Sequence, residues 1–401
     1  MADCFHLPDD VIYMILLRLP AKTLWRFRIL SKEWNKTIIR NRAFAKENML
    51  MHSGNHTSTS NVLLMCTSAG YSYRCVIESN FDREVRRVMN VKVDLPFKKY
   101  IDETSNNNHH WCGLSSSCHG LLCLIYHCND RAILFVWNPL TNHYKEIPWP
   151  EEHVTEQDAK GAFVGFGYDH ILNDYKIVVS VYVENLQLIQ VHVMTLSTNV
   201  WRSVDAAPWQ HLIEGSKRLD SKPVFCQGFL YWLGRDKRDY CQVLMEFNLV
   251  EEKLMVKYMR GGDGNETGYV YGSSRELAAK LGRYKGSPCY YLYQTGSIPK
   301  DRYGSMLSLW TIKVAGRERY WDNSKHYVSA PTVGTTLAEP VGFVSDGDML
   351  LMTIDNGHGL AAYFRNNRNK CELVELKLSE QVEQNVQDAL YLEMESLISP
   401  C

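Results

Sequence analysis

One local pattern recurs six times along this chain, and it constrains the fold more than any other feature. A strand-like run ends on an aromatic or apolar residue, a short polar turn follows, and a second strand-like run leads away. The pattern stands at residues 77–83, 137–142, 195–201, 247–253, 310–316 and 363–367, roughly 50–65 residues apart. Between these points lie further runs, such as 175–183 and 190–196, that alternate and are rich in β-branched residues. Each unit has room for about four short strands. One such unit cannot bury both of its faces, so neighbours must stack and share cores. The expected fold class is a small all-α unit of three helices followed by an all-β domain, a six-bladed β-propeller. A β-sandwich, or a pair of smaller β domains, is the competing arrangement.

Composition narrows the functional classes. Lys and Arg number 44 against 45 Asp and Glu, a formal net charge of −1. That balance excludes a nucleic-acid binder held by a strong positive field, so no nucleic-acid partner is expected. Hydrophobic residues at 45% and charged residues at 22% fit a folded chain rather than a disordered one. No run of 18 apolar residues occurs, so neither a membrane span nor a membrane partner is expected. The first ten residues carry no basic stretch leading into an apolar run. No secretory leader is therefore expected, and the 12 cysteines read as free thiols of a reducing compartment, cytoplasmic, nuclear or both.

The N-terminal fifty residues break from the β pattern. Pro8 suits a first helical turn, and Asp9 and Asp10 sit where the helix dipole favours negative charge. Val11, Ile12, Ile15, Leu16 and Leu19 recur at helical spacing until Pro20 stops them. Leu24 and Phe27 mark a second short helix. Ser31 is placed to cap a third, which carries Trp34 and Ile38 four apart. Three helices in about forty residues cannot bury this apolar surface among themselves. Either the rest of the chain covers it or a partner does.

The segment resembles the F-box. Leu7-Pro8, Asp9-Asp10, Ile15-Leu16, Leu19-Pro20, Leu24, Ile29-Leu30, Lys32 and Trp34 stand in matching register. The resemblance implies docking to a Skp-type adaptor and, through it, to the cullin and RING subunits of a ubiquitin ligase. Leu7, Pro8, Ile12, Ile15, Leu16, Leu19, Leu24, Leu30 and Trp34 are the contact residues it implies. Residues 1–48 are assigned to this unit and 62–401 to the β domain. Residues 49–61 read as a linker, because 52–61 are polar and rich in Gly, Ser, Thr and Asn.

A second resemblance runs through the β domain. Its motifs are Ser117-Cys118-His119-Gly120-Leu121-Leu122-Cys123-Leu124, Trp137-Asn138-Pro139-Leu140-Thr141, and Gly165-Phe166-Gly167-Tyr168-Asp169 with Asp174-Tyr175-Lys176-Ile177-Val178. Trp201-Arg202, Gly228-Phe229-Leu230-Tyr231-Trp232 and Glu395-Ser396-Leu397-Ile398-Ser399-Pro400 follow. In this order they are similar to the plant F-box-associated, kelch-like interaction domain. The implication is a non-catalytic substrate-recognition subunit whose β domain binds an unidentified target protein. A scaffold that uses the F-box without degrading a target is the alternative. Near the end, Leu390, Leu392 and Met394 alternate with Tyr391, Glu393 and Glu395, a strand pattern. This strand is expected to close the ring by pairing near residues 62–66.

Bond chemistry finds little footing. Cys112, Cys118, Cys123 and Cys128, with His109, His110, His119 and His127, invite a zinc reading. Structural zinc sites use close pairs such as C-x-x-C, and these cysteines are spaced more widely, so buried reduced thiols are expected. The Gly-rich residues 261–268 lack the Gly-Lys-Ser/Thr ending of a phosphate loop, and no Gly-x-Ser-x-Gly elbow occurs. No catalytic residue, metal or cofactor is expected; a metal-dependent propeller enzyme is the rival of another class. Target recognition is expected on connections between strands. Residues 205–221 carry Trp209 and Arg218. Residues 260–287 carry Tyr269, Tyr271 and Tyr284, with a short helical patch at 275–281. Exposed aromatics beside Arg are common anchors of protein interfaces.

Overall fold

The computed structural model describes residues 7–53, 60–66, 71–79, 85–103, 110–128, 131–150, 159, 161–183, 188–205, 222–235, 242–258, 277–284, 286–294, 305–315, 318–322, 328–330, 339–344, 349–354, 359–365, 371–376, 388–392 and 396–400.

The helical unit comes first. α1 (Asp9–Leu17) begins directly after Pro8, with Asp9 and Asp10 in its first turn. α2 (Ala21–Phe27) follows the break at Pro20. α3 (Lys32–Asn35) is capped by Ser31, whose side chain accepts the Trp34 N–H at 3.0 Å, and it runs into a π-helical turn, Lys36–Arg40. The sequence pattern led to three helices; a further one, α4 (Arg42–Ser53), follows, capped by Asn41 through the Phe44 N–H at 3.1 Å. Its buried face is Phe44, Ala45, Asn48 and Met49, and the polar residue in that stripe weakens the periodic signal. Asn48 is buried for a reason. Its amide donates to the carbonyls of Leu17 and Leu19, both at 2.9 Å, at the C-terminal end of α1, where helix carbonyls lack partners.

The described strands then form six antiparallel sheets. The first holds β1 (Ser60–Cys66), β2 (Tyr71–Ser79) and β3 (Val85–Asp94), after which the short α5 (Lys98–Glu103) leads on. The second holds β4 (His110–Cys118), β5 (Leu121–Cys128), β6 (Arg131–Trp137) and β7 (Tyr144–Pro148). The third holds β8 (Phe163–Asp169), β9 (Asp174–Val183), β10 (Leu188–Thr195) and β11 (Val200–Val204). The fourth holds β12 (Val224–Cys226), β13 (Phe229–Arg235), β14 (Gln242–Asn248) and β15 (Lys253–Tyr258). In the fifth are β16 (Leu277–Tyr284), β17 (Ser287–Gln294), β18 (Ser305–Ala315) and β19 (Glu318–Asp322), with β20 (Val328–Ala330) also on β18. The sixth holds β21 (Glu339–Val344), β22 (Met349–Ile354), β23 (Gly359–Arg365) and β24 (Cys371–Leu376).

The last described strand, β25 (Asp388–Leu392), returns to the first sheet and pairs with β1, from Val62↔Leu392 to Cys66↔Asp388. This is the closure that the alternation of residues 390–394 pointed to. The leading strands of the sheets touch in a closed cycle, β4 to β8, β12, β16, β21, β25 and back to β4. One local expectation fails. Residues 277–281, read as part of a helical patch, lie in β16, which pairs with β17 from Leu277↔Gln294 to Tyr284↔Ser287. Ala278, Ala279 and Lys280 favour helix in isolation, but the sheet partner decides.

Strand β5 explains why some runs are continuously apolar. Leu121, Cys123 and Ile125 enter one buried cluster with Ile177 and Val179 of β9, while Leu122, Leu124 and Tyr126 enter another with Leu95 and Phe97. The second sheet is thus covered on both faces, and alternation between polar and apolar residues disappears. The four cysteines divide in the same way. Cys118 and Cys123 belong to the first cluster, and Cys112 and Cys128 pack on the second, across the sheet. Burial pushes the Cys123 thiol up to about 12, so it stays protonated rather than becoming a metal-binding thiolate.

Three of the described turns share one construction. Asn138 Oδ1 accepts the N–H groups of Leu140 and Thr141 at 2.8 and 3.2 Å, and the turn closes on Asn142 at φ 59°. Asn248 repeats this with Val250, Glu251 and Glu252, and Asp169 with Ile171, Leu172 and Asn173. A short side chain with an acceptor oxygen starts the turn, and a left-handed residue four positions on ends it.

Candidate functional site

The helical unit buries one side and leaves another open. Leu16, Leu17, Ala21, Leu24, Ile38, Phe44 and Ala45 form its core, with Ile12, Leu19, Trp25 and Trp34 packed around them. Leu7 just before α1, Val11, Met14 and Ile15 on α1, and Ile29 and Leu30 at the turn after α2 remain exposed; Ile29 is 80% and Leu30 64% accessible. The α2–α3 turn holds that pair in place. The Leu30 N–H donates to Phe27 O at 3.0 Å, the Arg28 guanidinium lies 3.4 Å over the Trp25 ring, and Ser31 caps α3.

The nine contact residues named from sequence therefore separate by position. Leu7, Pro8, Ile15 and Leu30 are exposed, Ile12, Leu19 and Trp34 are half-buried, and Leu16 and Leu24 lie in the core. Val11, Met14 and Ile29 are exposed as well and were not among the nine. A signal existed, since Leu7, Val11 and Ile15 recur at intervals of four and Ile29 adjoins Leu30. The face is apolar, and an apolar face of this kind marks a site for another apolar surface. No group of three or more His, Cys, Asp or Glu converges to hold a metal among the described residues.

Of the five sequence-derived target residues, only Tyr284 is among those the structure describes. Trp209, Arg218, Tyr269 and Tyr271 lie outside the described residues. Tyr284 ends β16, half-buried, where the chain turns through Gly286 at φ 70° into β17.

The helical unit sits on the β domain beside the second and third sheets. Trp25 meets His143 edge to face at 6.1 Å. The Lys46 ammonium donates to Asn173 Oδ1 and lies 5.7 Å from the Tyr168 ring. Leu140, from the turn after β6, packs on the helical core. This docking covers part of the apolar surface that three helices alone could not hide, and it leaves the α1 and Ile29–Leu30 face free of the β domain.

Comparison with known families agrees with both halves. A family model described as F-box domain matches residues 4–44, and one described as F-box associated beta propeller domain matches residues 32–396. Among relatives, an F-box/kelch-repeat protein of Arabidopsis thaliana is 25% identical over 57% of this chain, and the match spans 58% of that protein's length. An F-box protein of the same plant is 28% identical over 82% of this chain and 74% of its own. Among solved structures, the β-propeller domain of Swd1 from Myceliophteria thermophila aligns with 80% of this chain and 86% of its own, at 10% identity and a TM-score of 0.35.

Proposed function

The chain belongs to the F-box-associated β-propeller family, and on that premise we propose that it is the substrate-recognition subunit of a Skp–cullin–F-box ubiquitin ligase. The helical unit, which runs through Ser53, docks on the adaptor, and the β domain, which begins at Ser60, is a six-bladed propeller whose connections bind the target protein. The chain makes and breaks no bond. It holds a target lysine near a ubiquitin-loaded enzyme and so raises its effective concentration. Its place of action is the cytoplasm, the nucleus or both.

The observation that carries this reading is the exposed apolar face of Leu7, Val11, Met14, Ile15, Ile29 and Leu30, on the segment the F-box model matches. Burying such a side chain against a partner is worth about 1.5–3 kcal/mol. Leu16 and Leu24 support the face from beneath.

The test replaces Ile29 and Leu30 with Asp together. Both are exposed, so the thermal transition of the β domain stays where it was. Adaptor binding in a pull-down with purified Skp-type adaptor weakens by at least about tenfold. Undiminished binding would remove the docking assignment. Depleting the protein from cells then separates a ligase receptor from a passive scaffold. The captured target accumulates in the first case and keeps its abundance in the second.

A further inference from the structure

We propose that residues 396–400 form a clasp that fixes the helical unit on the second sheet in one orientation. The segment follows β25 but joins no sheet. Asn138 Nδ2 donates to two of its carbonyls, Ser396 O at 2.9 Å and Ile398 O at 2.8 Å. The same fully buried side chain accepts the Leu140 and Thr141 N–H groups at its oxygen. A short primary amide can hold two carbonyls with one end and a turn with the other; an acid or a hydroxyl cannot. Ser396 Oγ adds a third tie, donating to His119 O at 2.6 Å.

The backbone is shaped to admit the segment. Gly120 follows His119 at φ +79°, and a Cβ there would stand 2.6 Å from Ser396 Oγ and 2.9 Å from its backbone nitrogen. The side chains of the segment then face in useful directions. Leu397, 4% exposed, is a member of the helical core with Leu24 and Phe44. Ile398 packs both on that core and on the buried cluster between the second and third sheets. The hydrophobic core of the N-terminal unit is thus completed by residues from the other end of the chain, anchored on Asn138, 260 positions from Ile398. If the chain is a receptor as proposed above, the clasp sets the span between the docking face and the target-binding connections.

The test uses the full chain and two variants. Asn138→Asp keeps the oxygen that holds the turn and replaces the donating NH2 with an acceptor facing two carbonyls. Leu397→Ala removes the wedge and leaves the turn alone, and it decides the matter alone if Asn138→Asp does not accumulate folded. Amide hydrogen exchange is followed by mass spectrometry in peptides from α2 and α4 and from β5, β9 and β14. The expected result is exchange at least about tenfold faster in α2 and α4, with the strands within about twofold of the parent. Unchanged helices would overturn the clasp. Equal acceleration of helices and strands would overturn it too, because the segment would then be a general part of the β core. Adaptor pull-down on the same variants is read separately. A parent chain that fails to bind adaptor refutes the receptor reading and leaves the exchange result to judge the clasp.

Discussion

Lys176 is a charged residue with almost no access to water. Its ammonium meets Asp169 Oδ2 at 2.6 Å, Leu249 O at 2.6 Å and Glu252 Oε1 at 2.7 Å, and Glu252 also pairs with Arg202. These contacts tie the third sheet to the β14–β15 turn. Burial raises the Asp169 carboxyl, but hydrogen bonds from Lys176 and from the Leu172 and Ile171 N–H groups outweigh it and hold the group below the usual range. Lys176→Ala would strand a carboxylate in the interior, and we expect a loss of about 3–5 kcal/mol in denaturant unfolding. A loss under about 1 kcal/mol would show that water reaches the site.

His119 supplies a pH dependence of its own. Burial, then the charges of Arg283 and Lys46, push its imidazole down to about 4. The unfolded chain takes up that proton near pH 6.5. Stability is therefore complete above about 6.5 and falls as pH drops toward 4, because the unfolded state binds the proton first. His119→Asn, which tolerates the φ of 51° at this position, should flatten the fall in melting temperature between pH 7 and 5. An unaltered slope would place the titration elsewhere.

At the scale of elements, what could be read from sequence depended on whether a segment's environment was local. α1 was legible because Pro8, Asp9, Asp10 and the apolar stripe all lie within it. α4 was not, because Asn48 is apolar in position but polar in kind, and its partners are the carbonyls of another helix. β16 was misread because its own residues favour helix and its partner strand overrules them. The apolar stripe of the N-terminal unit was visible, but not which of its members face inward. The distinction has a measurable consequence. Leu24→Ala, at 0% exposure, should cost about 2–5 kcal/mol of helical-unit stability. Leu30→Ala should leave stability within about 0.5 kcal/mol while still weakening adaptor capture. Similar melting for both variants would contradict the burial assigned to Leu24.

For the whole molecule, repetition made the all-β organisation readable, and the alternation of residues 390–394 made its closure readable. The docking of residues 396–400 was not readable. Both motifs involved stood in plain sight, but their contact is a relation between distant positions that no local spacing encodes. Closure predicts that removing residues 387–401 destabilises all six sheets together, because β1 loses its partner and the cycle opens. A truncated chain that kept its melting temperature and β-type circular dichroism would show that the ring stands without β25.

Closure by β25 also orders events on the ribosome. Translation delivers β1 long before the strand that covers its inner edge, and an open edge invites pairing with a neighbouring nascent chain. A ribosome that stops at a premature codon anywhere before residue 388 releases a polypeptide with that edge bare and the core of its N-terminal helices lacking Leu397. A nonsense allele that stops translation just short of residue 388 should therefore yield a product that chaperones retain and proteases clear.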